Sequence, residues 1–248
     1  MVEPEITEDA ILGGRLRIRQ PARGYRVNVD TLLLAAAVPE TDGRVVELGC
    51  GVGAAILAVA KRLGVTHPEA RFVGVERDTT YAALAQENVA LNALGANVEI
   101  INDDALSLSS DIGTFDAVFF NPPYDQPGEG RDPSPERRGA YVADAPLERW
   151  IKVWSNRLRA DATLTLIQRA QRLPEILSAL EGRLGGVRVY PIRPYANAGA
   201  RRIIVQARKG SRAPLSLLMG LDLHADVNAG DKYTPEAEAI LRGEALIF

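Results

Sequence analysis

Apolar and polar positions follow two different periods along the chain. Short runs rich in β-branched residues predict strands, and longer segments between them show apolar residues at helical spacing. The predicted strands cover residues 44–48, 72–76, 98–101, 117–120, 162–168, 186–192 and 202–208. The predicted helices cover residues 54–63, 81–94, 147–158 and 173–184. This alternation predicts βαβ units and an α/β fold, and the nearly continuous apolar strands predict a parallel sheet that helices cover on both faces.

The two ends of the chain depart from this alternation. No helix is predicted between residues 186–192 and 202–208, so these segments are expected to pair as an antiparallel hairpin at the end of the sheet. Residues 1–40 are expected to form a short hairpin and one helix. We therefore predict an N-terminal extension over residues 1–40 and a main domain over residues 41–248. Residues 125–138, rich in proline, glycine and charge, are predicted to be a mobile loop.

Composition narrows the class of protein. The chain has 248 residues, 46% of them hydrophobic, which is enough for one large α/β domain or two small ones. The acidic N-terminal segment lacks an apolar core, so no secretory signal is expected, and no stretch is apolar enough to span a bilayer. The single cysteine, Cys50, excludes an internal disulfide and a zinc site built from cysteines. A cytoplasmic location is expected, and no metal site is predicted.

Charge is distributed unevenly, although the net charge is only −3. Residues 131–212 carry 17 Lys and Arg against 7 Asp and Glu, whereas residues 1–130 carry 10 against 19. Nearly all the basic residues of the middle segment are arginines, whose planar guanidinium groups suit phosphate and stack on bases. The segment therefore indicates either the solvated faces of helices and edge strands or a surface for an anionic polymer.

The first candidate site is the glycine-rich stretch ELGCGVG at residues 47–53, which ends the first parallel strand and opens a helix. Glycines at alternate positions allow a sharp turn and a close approach of a ligand to the main chain. Glu76 ends the next strand, where a carboxylate can accept hydrogen bonds from both hydroxyls of a ribose. A structural turn and an exposed strand-end charge are the alternative interpretations.

The spacing of the glycines favours one nucleoside ligand over another. A dinucleotide site is typically G-x-G-x-x-G with a pyrophosphate at the helix N-terminus, whereas this loop is G-x-G-x-G and follows an acid. Glu47 would repel a pyrophosphate but could attract an ammonium group or its water shell. This pattern predicts S-adenosylmethionine, which has a ribose and a cationic sulfur but no phosphate. Asp103 and Asp104 follow the third strand, and we favour Asp104 as the contact to the adenine amine.

The second candidate site is NPPY at residues 121–124, which ends the fourth strand beside the glycine loop. A planar exocyclic amine is a poor nucleophile, because its lone pair is delocalised. The Asn121 side-chain oxygen and the Pro122 carbonyl could accept its two N–H groups and turn the lone pair towards a methyl donor. Tyr124 offers a ring on which a planar substrate can stack. A strand terminated by two prolines is the alternative interpretation.

These motifs resemble a known family. ELGCGVG followed by NPPY is typical of class I S-adenosylmethionine-dependent methyltransferases that act on planar amines. The segments QPARGYRVNVDTLLLAA, NPPYDQPG, ERRGAYV and GDKYTPEAEAILRG are similar to the bacterial tRNA(Val) adenine-N6 methyltransferase family. The resemblance implies a Rossmann-like seven-stranded sheet, mostly parallel with an antiparallel C-terminal strand. It also implies S-adenosylmethionine as cofactor and N6-methyladenine beside a tRNA anticodon as product.

The resemblance also implies site residues. Gln20 and Gly24 match an N-terminal element expected to close over the cofactor. Arg26, in the same element, could hold the methionine carboxylate, or it could form an ion pair with Asp30. The expected cofactor contacts are Tyr25, Arg26, Asp30, Glu47, Gly49, Cys50, Gly51, Gly53, Glu76, Arg77, Asp104, Ala105 and Asn121. The expected catalytic residues are Asn121, Pro122, Pro123 and Tyr124.

The expected partner is tRNA, with predicted RNA contacts at Arg131, Arg137, Arg138, Arg201 and Arg202. Three alternatives stay open. Protein-glutamine N5 and rRNA guanine-N2 methyltransferases share NPPY, and a non-catalytic module could bind the cofactor or RNA without reacting. Protein-glutamine methyltransferases usually carry an N-terminal helical domain, for which residues 1–40 are too short, and this makes that alternative less favoured.

Overall fold

The computed structural model describes residues 5–24, 26–122, 145–226 and 233–246. Its strands are β1 (Ile6–Ile11), β2 (Leu16–Pro21), β3 (Arg44–Leu48), β4 (Arg71–Glu76), β5 (Val98–Asn102), β6 (Phe115–Phe120), β7 (Leu158–Arg169), β8 (Gly185–Arg193), β9 (Arg202–Arg208), β10 (Ser216–Leu217) and β11 (Leu221–Asp222). Its helices are α1 (Val29–Ala37), α2 (Ala54–Leu63), α3 (Thr79–Leu91), α4 (Leu147–Ser155), α5 (Leu173–Leu180) and α6 (Pro235–Leu241).

One large sheet organises the described part of the chain. Its strands lie in the order β10-β8-β9-β7-β6-β3-β4-β5, and β11 also pairs with β8. Strands β3 to β7 are mutually parallel, and β9 is antiparallel to both of its neighbours, β7 and β8. The chain order reverses between β3 and β6, and the crevice beyond the carboxyl ends of such strands is where α/β sheets bind ligands.

The structure confirms the predicted α/β sheet and corrects its details. Every predicted strand and helix is present, with ends within four residues of the expected ones, and the expected antiparallel hairpin is β8–β9. The expected number of seven strands is wrong, because β10 and β11 bring the sheet to nine. These two strands have two residues each, too few to leave a periodic signal in the sequence. The antiparallel strand β9 lies inside the sheet, because β8 pairs with its outer side and β7 with its inner side.

Alternate residues of the central strands face two different helical layers. In β6, Phe119 belongs to the apolar cluster that α1, α2 and α3 cover, whereas Val118 and Phe120 belong to the cluster under α4 and α5. All three side chains are fully buried. Helices therefore cover both faces of the sheet, as the apolar strands predict. None of the described helices is long and apolar enough to cross a membrane.

The C-terminal segment is attached to β11 and to α1. The Thr234 hydroxyl accepts a hydrogen bond from the amide of Ala237 at 3.2 Å, which caps α6, and donates one to the carbonyl of Asp222 at 2.7 Å. The amide of Leu246 donates to the carbonyl of Ala36 at 2.9 Å. The YTPE stretch therefore begins a capped helix that packs against the main domain.

The N-terminal hairpin of β1 and β2 is fastened to α3 by two asparagines. The Asn88 side chain accepts from the amide of Arg19 at 2.7 Å and donates to the carbonyls of Arg19 and Val52, both at 2.9 Å. One helical turn later, Asn92 accepts from the amide of Arg17 at 2.9 Å and donates to its carbonyl at 2.7 Å. Each side-chain amide thus replaces a strand neighbour for the exposed edge of β2.

Asn88→Ala should destabilise the protein strongly. The Asn88 side chain is fully buried, and its removal leaves the amide of Arg19 and two carbonyls without partners. The expected loss is about 3 kcal/mol or more of unfolding free energy, or roughly 6–12 °C in Tm. Calorimetry beside Asn97→Ala, which removes one exposed hydrogen bond to the carbonyl of Pro68, provides the measurement and its control. An equal change of Tm for the two substitutions would contradict the role of Asn88 in fastening the hairpin to α3.

Candidate cofactor and acceptor site

A cavity of about 520 Å³ lies at the carboxyl ends of β3, β4, β5 and β6. This volume is within the range of small-molecule sites, about 300–1,000 Å³. The structure brings ten of the expected site residues to its lining: Glu47, Gly49, Cys50, Gly51, Glu76, Arg77, Asp104, Ala105, Asn121 and Pro122. Tyr25, Pro123, Tyr124, Arg131, Arg137 and Arg138 lie outside the described residues.

The glycine loop presents its main chain to the cavity. Gly49 and Gly51 have φ values of 66° and 55°, and a Cβ atom at either position would meet no other atom within 4 Å. A ligand can therefore approach the backbone closely at both glycines. Gly53 differs, because it precedes α2 at φ 83° and its Cβ would lie 3.3 Å from the Cβ of Ala85. Gly53 therefore lies where α2 packs closely on α3, and its lack of a side chain allows that contact.

Cys50 lies in the same loop, with its amide bonded to the carbonyl of Val75 at 3.0 Å. The thiol is buried, and burial raises its pKa well above the ordinary value, an effect that the charges of Glu47 and Glu76 increase. Because a thiolate is the reactive form of cysteine, this thiol is suited to packing and not to nucleophilic attack.

Glu76 holds the glycine loop and the start of α3 together. Its Oε2 atom accepts from the amide of Gly51 at 2.8 Å, and its Oε1 atom accepts from the amide of Asp78 at 2.8 Å. The side chain is buried at the end of β4 and lines the cavity. Each carboxylate oxygen has a second lone pair, so the group can still accept hydrogen bonds from a diol.

Glu47 is buried beneath the loop at the end of β3. Its Oε2 atom accepts from the amide of Ile56 in the first turn of α2 at 2.7 Å. Burial raises the pKa of the Glu47 carboxyl well above its ordinary value, and although the Ile56 amide opposes this rise, the nearby charge of Glu76 adds to it. The protein therefore holds a proton on Glu47 at a pH where the unfolded chain has released it.

Replacing Glu47 by glutamine should remove one pH-dependent loss of stability. The pKa of the Glu47 carboxyl is higher in the folded protein than in the unfolded chain, where it is about 4.3. The free energy of unfolding therefore falls as pH rises above that value, by at most about 1.4 kcal/mol per pH unit. Glutamine keeps an acceptor for the Ile56 amide but has no proton to lose. Urea unfolding between about pH 4.5 and 8 should show wild type losing stability relative to Glu47→Gln, whereas Glu99→Gln on the exposed side of β5 should follow wild type. Parallel curves for wild type and Glu47→Gln would contradict the buried proton.

The loop after β5 supplies two carboxylates and an apolar wall. Both Asp103 and Asp104 line the cavity. The Asp104 Oδ1 atom accepts from the amide of Leu106 at 2.9 Å, and the Asp103 Oδ1 atom accepts from the amide of Asp104 at 2.7 Å. Ala105 is buried, and its carbonyl accepts from the indole of Trp154 at 2.9 Å, which fixes the loop against α4.

Asn121 and Pro122 follow β6 directly and line the cavity. The Asn121 Oδ1 atom is buried and has no hydrogen-bond partner within the described part of the chain. Most buried polar atoms are hydrogen-bonded, and an unpaired one costs about 1–3 kcal/mol. Such an atom beside a cavity is suited to accept a hydrogen bond from a bound molecule.

The N-terminal element is arranged differently from either expectation for Arg26. Its guanidinium forms an ion pair with Asp9 at 2.6 Å and donates to the carbonyl of Pro21 at 2.9 Å, and it is not among the lining residues of the cavity. An ion pair with Asp30 is therefore wrong, because the β1–β2 hairpin brings Asp9 to Arg26. A contact of Arg26 with a cofactor carboxylate stays a prediction that requires the side chain to leave Asp9.

Asp30 and the expected RNA contacts Arg201 and Arg202 also lie away from the cavity lining. Asp30 is buried at the start of α1 and pairs with Arg202 at 2.9 Å, which ties the N-terminal helix to the sheet. Arg202 is thus partly committed to the fold. Arg201 is exposed, and its amide donates to the carbonyl of Ile192 at 3.1 Å.

Several lining residues have no counterpart in the sequence predictions: Val27, Thr31, Asp78, Tyr81, Arg149 and Trp150. Thr31 and Asp78 are helix-capping residues, so the sequence gives them a structural role and no sign that they line a cavity. Tyr81 lies in the first turn of α3, and burial raises the pKa of its phenol. Within the described ranges, no group of three His, Cys, Asp or Glu side chains is placed to hold a metal ion.

The fold and the cavity define a class of protein, the S-adenosylmethionine-dependent methyltransferases. The chain belongs to the methyltransferase small domain family, whose model matches residues 25–189. A tRNA1(Val) (adenine(37)-N6)-methyltransferase of Bacteroides fragilis is 27% identical over 145 residues, which are 57% of this chain and 59% of that protein. A Yersinia enterocolitica protein of the same name is 33% identical over 129 residues, 49% of this chain and 50% of that protein. The matches thus span about half to three fifths of these relatives' length.

Solved structures share the architecture. A protein from Agrobacterium tumefaciens described as a predicted O-methyltransferase is 28% identical, with a TM-score of 0.71 over 88% of this chain and 98% of that chain. The T. thermophilus 16S rRNA N2 G1207 methyltransferase, solved with AdoMet and guanosine, is 21% identical with a TM-score of 0.55. It covers 83% of this chain and 50% of that one, and at this identity the likeness concerns the fold.

Proposed function

We propose that the protein transfers a methyl group from S-adenosylmethionine to the N6 amine of an adenine in RNA, in a tRNA beside the anticodon. The observation that carries this proposal is the buried Asn121 Oδ1 atom, without a partner among the described residues, at the edge of an acidic cavity. The names of the relatives from Bacteroides fragilis and Yersinia enterocolitica support the same substrate.

The residues of the cavity fit the cofactor. Glu76 can accept the ribose hydroxyls with its remaining lone pairs, and the open backbone of Gly49 and Gly51 can lie against the ligand. The carboxylate of Asp104 can accept from the adenine amine. When bound, the cofactor supplies an electrophilic methyl group on a positively charged sulfur, and the carboxylates around the cavity favour positive charge.

Asn121 and Pro122 prepare the acceptor amine in this proposal. The Asn121 amide oxygen accepts one N–H of the amine, and the Pro122 carbonyl accepts the other. Both hydrogen bonds favour a tetrahedral nitrogen, whose lone pair is then available for the methyl group. Asn121 does not ionise, so it orients the amine, and the proton leaves to water after transfer. Alignment accounts for most of the rate enhancement. Pro123 is proposed to stiffen the turn, and Tyr124 to stack on the base.

The N-terminal extension over residues 1–40 is proposed to close over the bound cofactor. Val27 and Thr31 line the cavity and thus bring the start of α1 to the site. Tyr25 is part of the same proposal. The RNA is proposed to bind the arginine-rich segment, including Arg201 and the three arginines that lie outside the described residues.

An oxygen acceptor is the second candidate, because the Agrobacterium tumefaciens protein is described as a predicted O-methyltransferase. A hydroxyl has a single proton to donate and would need one acceptor, whereas the end of β6 offers both an amide oxygen and a carbonyl. The protein-glutamine and guanine-N2 alternatives also present a planar NH2 group, an amide in the first and an amine in the second, and the site chemistry alone favours neither over adenine.

Incubation with radiolabelled S-adenosylmethionine tests the acceptor class. Total bacterial RNA and total bacterial protein are supplied in separate reactions, and the label in each macromolecular fraction is counted. The proposal predicts label in RNA and none above background in protein. Label in protein alone would contradict the proposal and favour a protein-glutamine methyltransferase.

A further inference from the structure

We propose that Arg149 and Trp150, at the start of α4, form a subsite for the acceptor nucleotide, in which Trp150 contacts the base and Arg149 binds its phosphate. This inference rests on the proposed function and deepens it, since it requires an acceptor that carries a phosphate. Both side chains line the same cavity as Asn121.

The position of Trp150 is fixed relative to the end of β6, which Asn121 follows. Its ring stacks on Phe120, with centroids 6.0 Å apart and an interplanar angle of 22°. Phe120 is fully buried and directly precedes Asn121. The indole packs on the apolar cluster under α4 and is partly exposed, so one part of it is anchored and another faces the cavity. A flat, anchored ring beside the acceptor for an amine is suited to hold a planar base.

The charge of the cavity is divided between its two sides. The loops after β4 and β5, with the end of β4, contribute four carboxylates to the lining, namely Glu76, Asp78, Asp103 and Asp104, against one arginine, Arg77. That side suits a cationic cofactor and repels a phosphate. Arg149 lies on α4, so an anionic group of the acceptor is attracted to the α4 side of the cavity.

Arg149 is available for an anion. Within the described residues its guanidinium has no acid or carbonyl partner, whereas Arg159, on β7, pairs with Asp116 at 2.6 Å. The neighbouring acid, Glu148, pairs with Arg183 at 3.2 Å and does not neutralise Arg149.

Both subsite residues lie in the first half of α4, whose N-cap residue, Pro146, provides no side-chain hydrogen bond. The helix dipole adds to the attraction for an anion.

Nucleotide binding tests the subsite directly. The full chain is saturated with S-adenosylhomocysteine to fill the cofactor side, and adenosine and its 5′- and 3′-monophosphates are titrated by calorimetry. Wild type should bind a monophosphate about 10-fold more tightly than adenosine, which is the scale of one charge-assisted contact. Arg149→Gln should abolish that preference and leave the affinities for adenosine and S-adenosylhomocysteine unchanged. Trp150→Ala should weaken all three ligands about 10-fold, whereas Trp150→Phe should retain most of the affinity.

Arg212→Gln is the matched control, because Arg212 is exposed at the opposite edge of the sheet, beside the start of β8. It should behave as wild type. The proposal is overturned if wild type does not distinguish adenosine from its monophosphates, including by binding none of them. It is also overturned if Arg149→Gln weakens S-adenosylhomocysteine instead.

Methyl transfer separates this inference from the proposed function. If wild type methylates RNA and Arg149→Gln leaves the KM for RNA unchanged, the subsite fails and the function stands. If wild type prefers the monophosphates as described but leaves RNA unmethylated, the function fails and the phosphate subsite stands.

Discussion

Asn121→Ala should reduce methyl transfer at least about 100-fold and leave the affinity for S-adenosylmethionine within about threefold of wild type. The reduction corresponds to the loss of one preorganised polar group at the reacting atoms. Affinity is retained because the Asn121 oxygen is assigned to the acceptor amine, whereas the ribose and adenine contacts belong to Glu76 and Asp104. Single-turnover rates and calorimetric affinities provide the two measurements.

The same substitution should not destabilise the protein. The Asn121 Oδ1 atom is buried without a described partner, so its removal relieves an unpaired polar atom. Tm should be equal to that of wild type or higher, in contrast to the large loss expected for Asn88→Ala. Asn121→Asp, which keeps an acceptor oxygen, should retain more activity than Asn121→Ala. Near wild-type transfer by the alanine variant would remove Asn121 from the mechanism.

Glu76→Ala should weaken S-adenosylmethionine binding about 100-fold. The carboxylate is proposed to accept two ribose hydroxyls, each a charge-assisted hydrogen bond of about 1.5 kcal/mol or more. It also positions the glycine loop through the amide of Gly51 and the start of α3 through the amide of Asp78. Calorimetric titration with S-adenosylmethionine and with its demethylated product measures the effect.

Two variants make the Glu76 result specific. Glu76→Gln keeps the size of the side chain but turns one acceptor into a donor that faces an amide, so it should weaken binding nearly as much. Glu99→Ala removes an exposed glutamate from the neighbouring strand β5 and should leave the affinity unchanged. An unaltered affinity of Glu76→Ala would remove Glu76 from the cofactor site.

The parallel strands and their helices could be predicted because burial on both faces produces continuous apolar runs between helical segments. The docking of the N-terminal hairpin could not, since Asn88 in α3 and Asn92 directly after it are polar residues whose partners are backbone atoms about 70 positions away. The strands β10 and β11 were also beyond prediction, because two residues carry no period.

Three carboxylates of the site, Glu76, Asp103 and Asp104, could be predicted from topology alone, whereas Asp78 could not. Parallel strands end at one edge of a sheet, so acids at the ends of β4 and β5 must lie near the glycine loop. Contacts between side chains that are distant in the sequence could not be predicted. Nothing in the spacing of Arg26 indicates that Asp9 is its partner, and Trp150 becomes part of the site only because α4 packs beside Phe120.

The protein is proposed to transfer the methyl group to N6 of an adenine. This proposal is tested most directly by reacting tRNA that lacks the modification with S-adenosylmethionine carrying a deuterated methyl group, digesting the product to nucleosides and identifying the labelled one by mass spectrometry. We expect label in N6-methyladenosine with the wild-type protein, and no label in that nucleoside when Asn121→Ala is used. Label in N2-methylguanosine or in a 2′-O-methylated nucleoside would contradict the proposal.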